Sequence, residues 1–123
     1  MGRIGFALAF CLLAGGAKAQ CLTPAEAYVL DAGAEVDCET EPDACRWTFD
    51  LGAPVSRELF EVLRARLAEC PNLRAASRDQ GVNHPDFYDA WVFRFAREAF
   101  SLSIKDKSGL RRTFVVLRQV PGE

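Results

Sequence analysis

Histidine is almost missing from this 123-residue sequence, in which His84 stands alone. Any serine or cysteine nucleophile activated by an imidazole must use that one ring, with Asp79, Asp86 or Asp89 to orient it. The nucleophile elbow G-x-S-x-G is missing as well, around Ser56, Ser77, Ser101, Ser103 and Ser108 alike. His84, with Asp86 and Asp89, supplies the foremost catalytic candidates, and a solvated loop histidine before Pro85 is the plainer reading of His84. No C-x-x-C pair exists, so zinc has no ligand set, and no metal or cofactor is expected. A basic excess is lacking too. The net charge is −2, which argues against nucleic acid as a partner. Internal repeats, low-complexity tracts and a second long apolar run are all missing, so one domain without a membrane anchor is expected.

The one apolar run that is present lies at the start. Arg3 leads into Ile4–Leu13, followed by small residues that end in Ala17-Lys18-Ala19, the three-part pattern of a secretory signal cut after an A-x-A site. Lys18 closes the run before it reaches the roughly 20 apolar residues of a membrane span. The expected division is a signal peptide over 1–19 and a single exported globular domain over 20–123, periplasmic or extracellular. Lipid attachment at Cys21 is disfavoured, because Lys18 and Gln20 occupy the positions where an apolar and a small residue belong.

Cleavage removes Cys11 and leaves Cys21, Cys38, Cys45 and Cys70, an even set that reads as two disulfides in an exported chain. The same cut removes Arg3 and Lys18 and no acid, moving the net charge from −2 to −4. The remaining charge is uneven. Residues 26–50 hold eight acids against Arg46, whereas residues 105–118 hold Lys105, Lys107, Arg111, Arg112 and Arg118 against Asp106. The two segments face either different partners or each other.

Thr23-Pro24-Ala25-Glu26 opens a helix, with Thr23 as N-cap and Pro24 at the first helical position, and Gly33 is its expected stop. The acidic stretch 37–43 follows as a loop. Its alternating acids Asp37, Glu39, Glu41 and Asp43 lack the glycine of a calcium loop, which leaves them solvated. Trp47, Phe49 and Leu51 alternate on one face of a strand. After Pro54 the period changes: Leu59, Phe60, Leu63, Leu67 and Cys70 form a helical stripe opposite Arg57, Glu58, Glu61 and Arg64, and Pro71 ends it.

A strand of about 20 Å and a returning helix of about 22 Å bring Cys45 and Cys70 to the same end. Similar arithmetic returns the first helix to Cys38. The expected pairs are Cys21–Cys38 and Cys45–Cys70, with Cys38–Cys45 across the acidic loop as the rival.

The second half reads as strands. Leu73–Arg78 is a weak one, and Asp79–Asp86 is a loop of turn formers. Trp91, Phe93 and Phe95 alternate, as do Phe100, Leu102 and Ile104, and Lys107-Ser108-Gly109 turns the chain into Thr113–Leu117. Phe87, Tyr88, Trp91, Val92, Phe95 and Ala99 also fit one face of a helix, but an outward Phe93 and the aromatic content favour the strand. Both tryptophans and the phenylalanines are assigned to the core by strand parity.

The expected fold is α+β: a short N-terminal helix, then one long helix packed on a curled antiparallel sheet of four to five strands, with two disulfides. After Cys45 the order strand, long helix and further strands is similar to that of cystatin-like folds. That resemblance implies a scaffold shared by inhibitors, binding modules and enzymes, so it leaves the activity open. The functional expectation is an exported binding domain, either a protein inhibitor, an accessory subunit or an envelope-component binder, with a protein or envelope partner. A minor hydrolase using His84 and a neighbouring aspartate is the alternative. Intact mass before and after reduction tests the premise. The expected product starts at Gln20, carries no lipid and gains a pair of hydrogens per bridge on reduction, whereas a full-length product with free thiols would refute it.

Overall fold

Alternation in the second half of the chain builds a sheet whose two faces differ sharply. The computed structural model describes residues 21–28, 30, 34–79 and 86–121. The expected signal segment, the helix stop at Gly33 and the lone His84 all lie outside the described residues. In chain order the elements are α1 (Pro24–Tyr28), β1 (Glu35–Asp37), β2 (Ala44–Asp50), α2 (Pro54–Ala68), β3 (Ala75–Arg78), β4 (Tyr88–Arg94), β5 (Glu98–Lys107), a 3₁₀ turn (Ser108–Leu110) and β6 (Arg112–Pro121). The strands form one antiparallel sheet of six in the order β1-β2-β6-β5-β4-β3.

Six strands replace the expected four to five. The addition is β1, a three-residue strand that sequence reading gave to the approach to Cys38. Glu-Val-Asp is too short and too acidic to show an alternation of its own, and only its pairing with β2 makes it a strand. The chain order strand, long helix, four strands is present from β2 onward. The sheet closes by pairing the strand before the helix with the last strand, β6.

Helix α2 follows its apolar stripe. Leu59, Phe60, Leu63 and Leu67 are buried, and the helix packs on β4, β5 and β6. Pro54 occupies the first turn, where its missing N–H is not needed. The stripe meets Trp47, Phe93, Phe100, Leu102, Ile104, Val115 and Leu117, each within a few per cent of complete burial. Burying a Leu, Ile, Val or Phe side chain is worth about 1.5–3 kcal/mol, so this layer dominates folding. The short α1 sits on β2 and β6 on the same side, with Leu22 and Ala27 in the core and the Thr23 hydroxyl accepting the Glu26 N–H at 3.1 Å. Leu51 departs from the expected inward row, because β2 ends at Asp50 and Leu51 lies exposed in the turn. Tyr88–Arg94 is a strand, with Phe93 inward.

Two side chains fix this register. Thr113 is fully buried, and its hydroxyl donates to Asp106 Oδ1 at 2.7 Å while accepting the Gly52 N–H at 2.8 Å. Gly52 has φ 72°, a left-handed value that a side chain would resist. Asp106 also faces Arg57 of α2 at 3.7 Å, so one polar chain ties the β2–α2 turn, the helix and the β5–β6 hairpin together. At the far edge Trp91 lies between two guanidinium groups, Arg64 at 5.4 Å and Arg78 at 5.0 Å from its ring centre.

The disulfides are Cys21–Cys70 and Cys38–Cys45, which overturns the expected Cys21–Cys38 and Cys45–Cys70 in favour of the rival across the acidic loop. The ladder explains it. Glu35 faces Thr48, Val36 faces Trp47 and Asp37 faces Arg46, so Cys38 and Cys45 occupy the next rung, with Cα atoms 4.0 Å apart. Cys45 and Cys70 do reach the same end and share the core cluster, but β1 claims Cys45 first. Cys21 then takes Cys70 and clamps the N-terminus to the end of α2. The bridges span 49 and 7 residues. Loop-closure entropy predicts that the Cys21→Ser/Cys70→Ser pair costs about 4 kcal/mol and the Cys38→Ser/Cys45→Ser pair about 2 kcal/mol. Denaturant unfolding of the two double variants measures that order, and equal or reversed losses would contradict the entropic account.

Candidate functional site

The helices cover one face of the sheet, so the chemistry of the other face is set by the residues of opposite parity. The register places them in rows. Thr48, Phe114 and Lys105 face one another across β2, β6 and β5; Arg46, Val116 and Ser103 form the next row; Ala44, Arg118 and Ser101 form the third. Among the described residues, both helices pack on the opposite side.

On this face lies a hollow of about 350 Å³. Its apolar lining is made by Ala44, Phe114 and Val116 of the strands and Leu110 of the 3₁₀ turn. Leu110 is 61 % exposed, the most open of the large apolar side chains described. The β1–β2 hairpin supplies an acidic rim of Asp37 and Glu41, and the strands supply Arg46, Lys105, Lys107 and Arg118.

The acids on the rim are already engaged. Arg118 reaches Glu41 as a fork, Nε to Oε2 at 2.8 Å and Nη2 to Oε1 at 3.0 Å. That fork holds the Glu41 carboxyl below its ordinary range and raises the Arg118 guanidinium. Asp37 is folded into a turn. Its Oδ1 accepts the N–H groups of Glu39 and Thr40, both at 3.0 Å, and its Oδ2 accepts the Thr40 hydroxyl at 2.6 Å. Chiefly through the Thr40 hydroxyl, and then the two N–H groups, its pKa falls to about 2.

The cations are less committed. Arg46 lies over the Phe114 ring at 5.4 Å, and Lys105 and Lys107 have no ion pair among the described residues. The hollow thus combines an apolar floor with a positive surplus, a combination that attracts negative charge attached to apolar groups.

Of the catalytic candidates from the sequence, His84 lies outside the described residues, and neither Asp86 nor Asp89 lines this hollow. The Asp86 carboxylate accepts the Ser108 N–H at 3.1 Å and the Ser108 hydroxyl at 3.1 and 3.2 Å, which pins the strand entry to the 3₁₀ turn. Asp89 is held by the Arg78 fork at 3.0 and 3.1 Å. Tyr88 between them is raised above its usual pKa, first by burial and then by Asp79 and Asp89. All four cysteines of the described chain are in disulfides. Among the described residues no three His, Cys, Asp or Glu side chains gather as a metal site.

Phe114 is the residue that sequence reading misplaced. Core parity was expected of every phenylalanine, yet Phe114 is half-buried on the outward row, as Phe87 is exposed under Arg57 at 3.8 Å. Thr113-Phe114-Val115-Val116-Leu117 offers apolar residues at both parities, and only the buried Thr113 hydroxyl decides which row faces in. The chain matches no protein-family model, no curated protein and no solved structure.

The Asp37 turn gives a pH test. Its folded pKa of about 2 lies below the reference 3.8, so the turn contributes stability that is fully present above pH 3.8 and is lost as pH falls through about 2. Replacing Thr40 with Ala removes the leading cause, and the Asp37 carboxyl should then titrate closer to 3.8 by carboxyl-carbon NMR. An unmoved titration would show that the hydroxyl is not the cause.

Proposed function

We propose that this protein is an exported, disulfide-braced binding domain that holds its ligand on the helix-free face of the sheet. The observation that carries this reading is the hollow on that face, where Lys105 and Lys107 have no ion pair among the described residues and stand beside the exposed Leu110 and an apolar floor. An apolar concavity flanked by two such lysines is explained if something negative covers it. Two disulfides support an oxidising, exported compartment, and the expected signal over residues 1–19 agrees with that. No helix among the described residues is long and apolar enough to cross a membrane. Within that reading an envelope component or a protein of the same compartment is the partner, and nucleic acid is not. The hydrolase alternative has no observation in its favour among the described residues, because the Asp86 and Asp89 carboxylates are occupied by Ser108 and Arg78.

Capture from an envelope extract tests the proposal. Immobilised protein should retain a component that is lost with Lys105→Glu/Lys107→Glu and kept with Arg66→Glu, a charge change on the exposed side of α2. Retention that ignores the sheet-face charges, or that vanishes with the helix variant, would count against it.

A further inference from the structure

Resting on that reading, we propose that the hollow takes a small amphipathic anion: an acyl- or aryl-sized apolar body ending in one carboxylate or phosphate. Four observations specify that class. The hollow has room for a small molecule, since about 350 Å³ falls at the lower end of ligand-pocket volumes. Its lining is more apolar than polar, with Phe114 and Val116 side by side on β6, so the body it receives is apolar. Lys105 and Lys107 sit two residues apart on the same side of β5, about 7 Å along the strand, within reach of a single headgroup from both flexible stems. Across the hollow Arg46 is already laid over Phe114, which leaves the ring's environment cationic and disfavours a positively charged ligand.

Charge bookkeeping also fixes the sign and the number. Four cations and two acids line the hollow; Arg118 is paired with Glu41, and Arg46 faces Asp37 across the β1–β2 ladder. Two lysines remain, enough for one anionic headgroup. An extended acidic peptide would require a longer cationic row. The next outward positions on β5 are Ser103 and Ser101, which carry no charge to meet it.

The probes are octanoate, octyl phosphate, octanol, inorganic phosphate and penta-glutamate, added to the oxidised exported protein and followed by calorimetry and backbone amide NMR. Octanoate and octyl phosphate should bind at one site and shift the amides of Lys105, Leu110, Phe114 and Val116. Octanol and inorganic phosphate should each bind at least about tenfold more weakly, since each lacks one half of the recognition. Lys105→Ala/Lys107→Ala should weaken octanoate about tenfold, the loss of two partly screened ion pairs, with the unfolding transition unchanged. Phe114→Ser should weaken octanoate and octanol alike. A preference of octanoate over octyl phosphate, or the reverse, separates a carboxylate source from a phosphate source. Octanoate that binds no better than octanol, or binds the lysine variant equally well, overturns the ligand class. Penta-glutamate binding in place of octanoate overturns the ligand class too but leaves the sheet-face reading standing. Shifts confined to α2 or to the β3 edge sink both.

Discussion

The ladder between β2 and β6 runs from Ala44 opposite Arg118 to Asp50 opposite Arg112, and the Gln119 N–H extends it to the Asp43 carbonyl at 2.8 Å. That pairing fastens the last strand of the chain to the second. The acidic N-terminal stretch therefore lies against the basic C-terminal one, and Arg118–Glu41 and Arg112–Asp50 cross the seam between them. Were β6 to pair only with β5, the β1–β2 hairpin would have no sheet to join. Cys38 and Cys45 would lose the rung that aligns them, and the rim of the hollow would be separated from its floor. Non-local pairing of this kind is costly in chain entropy, which gives the two disulfides their use.

The two sheet faces divide the work. Inward, Trp47, Phe93, Phe100, Leu102, Ile104, Val115 and Leu117 meet the stripe of α2 and hold the fold. Outward, the interleaved residues are small, half-buried or charged, and they are free to vary in chemistry without disturbing the core. A one-residue slip in β6 would send Phe114 and Val116 inward and Thr113 outward, exchanging the faces. The Thr113–Asp106–Gly52 chain guards against that slip, because moving Thr113 would take its hydroxyl away from both the Gly52 N–H and the Asp106 carboxylate. The same network that secures the fold thus also sets which apolar residues floor the hollow.

Much of the architecture was legible because it is written in local periods. The stripe Leu59, Phe60, Leu63, Leu67 announced α2, its proline marked the start, and Phe100, Leu102 and Ile104 announced β5. Thr23 announced the cap of α1. What stayed hidden has no local period. Three residues of β1 are too few to alternate, so the cysteine that β1 carries was assigned to the wrong partner. Phe114 sits in a run apolar at both parities, so its face was unreadable. Asp86 and Asp89 looked like companions for His84 in the chain, yet Ser108 and Arg78, distant in sequence, claim them in the fold.

The sequence by itself determined the α+β class, the long amphipathic helix and the apolar rows of the central strands, because each of these depends on residues a few positions apart. Tertiary structure alone decided which cysteines join, which side of β6 faces the core and where the two charged segments come to rest. Those outcomes depend on strand register, and register is set by contacts between residues that the chain holds far apart and only the folded sheet brings face to face.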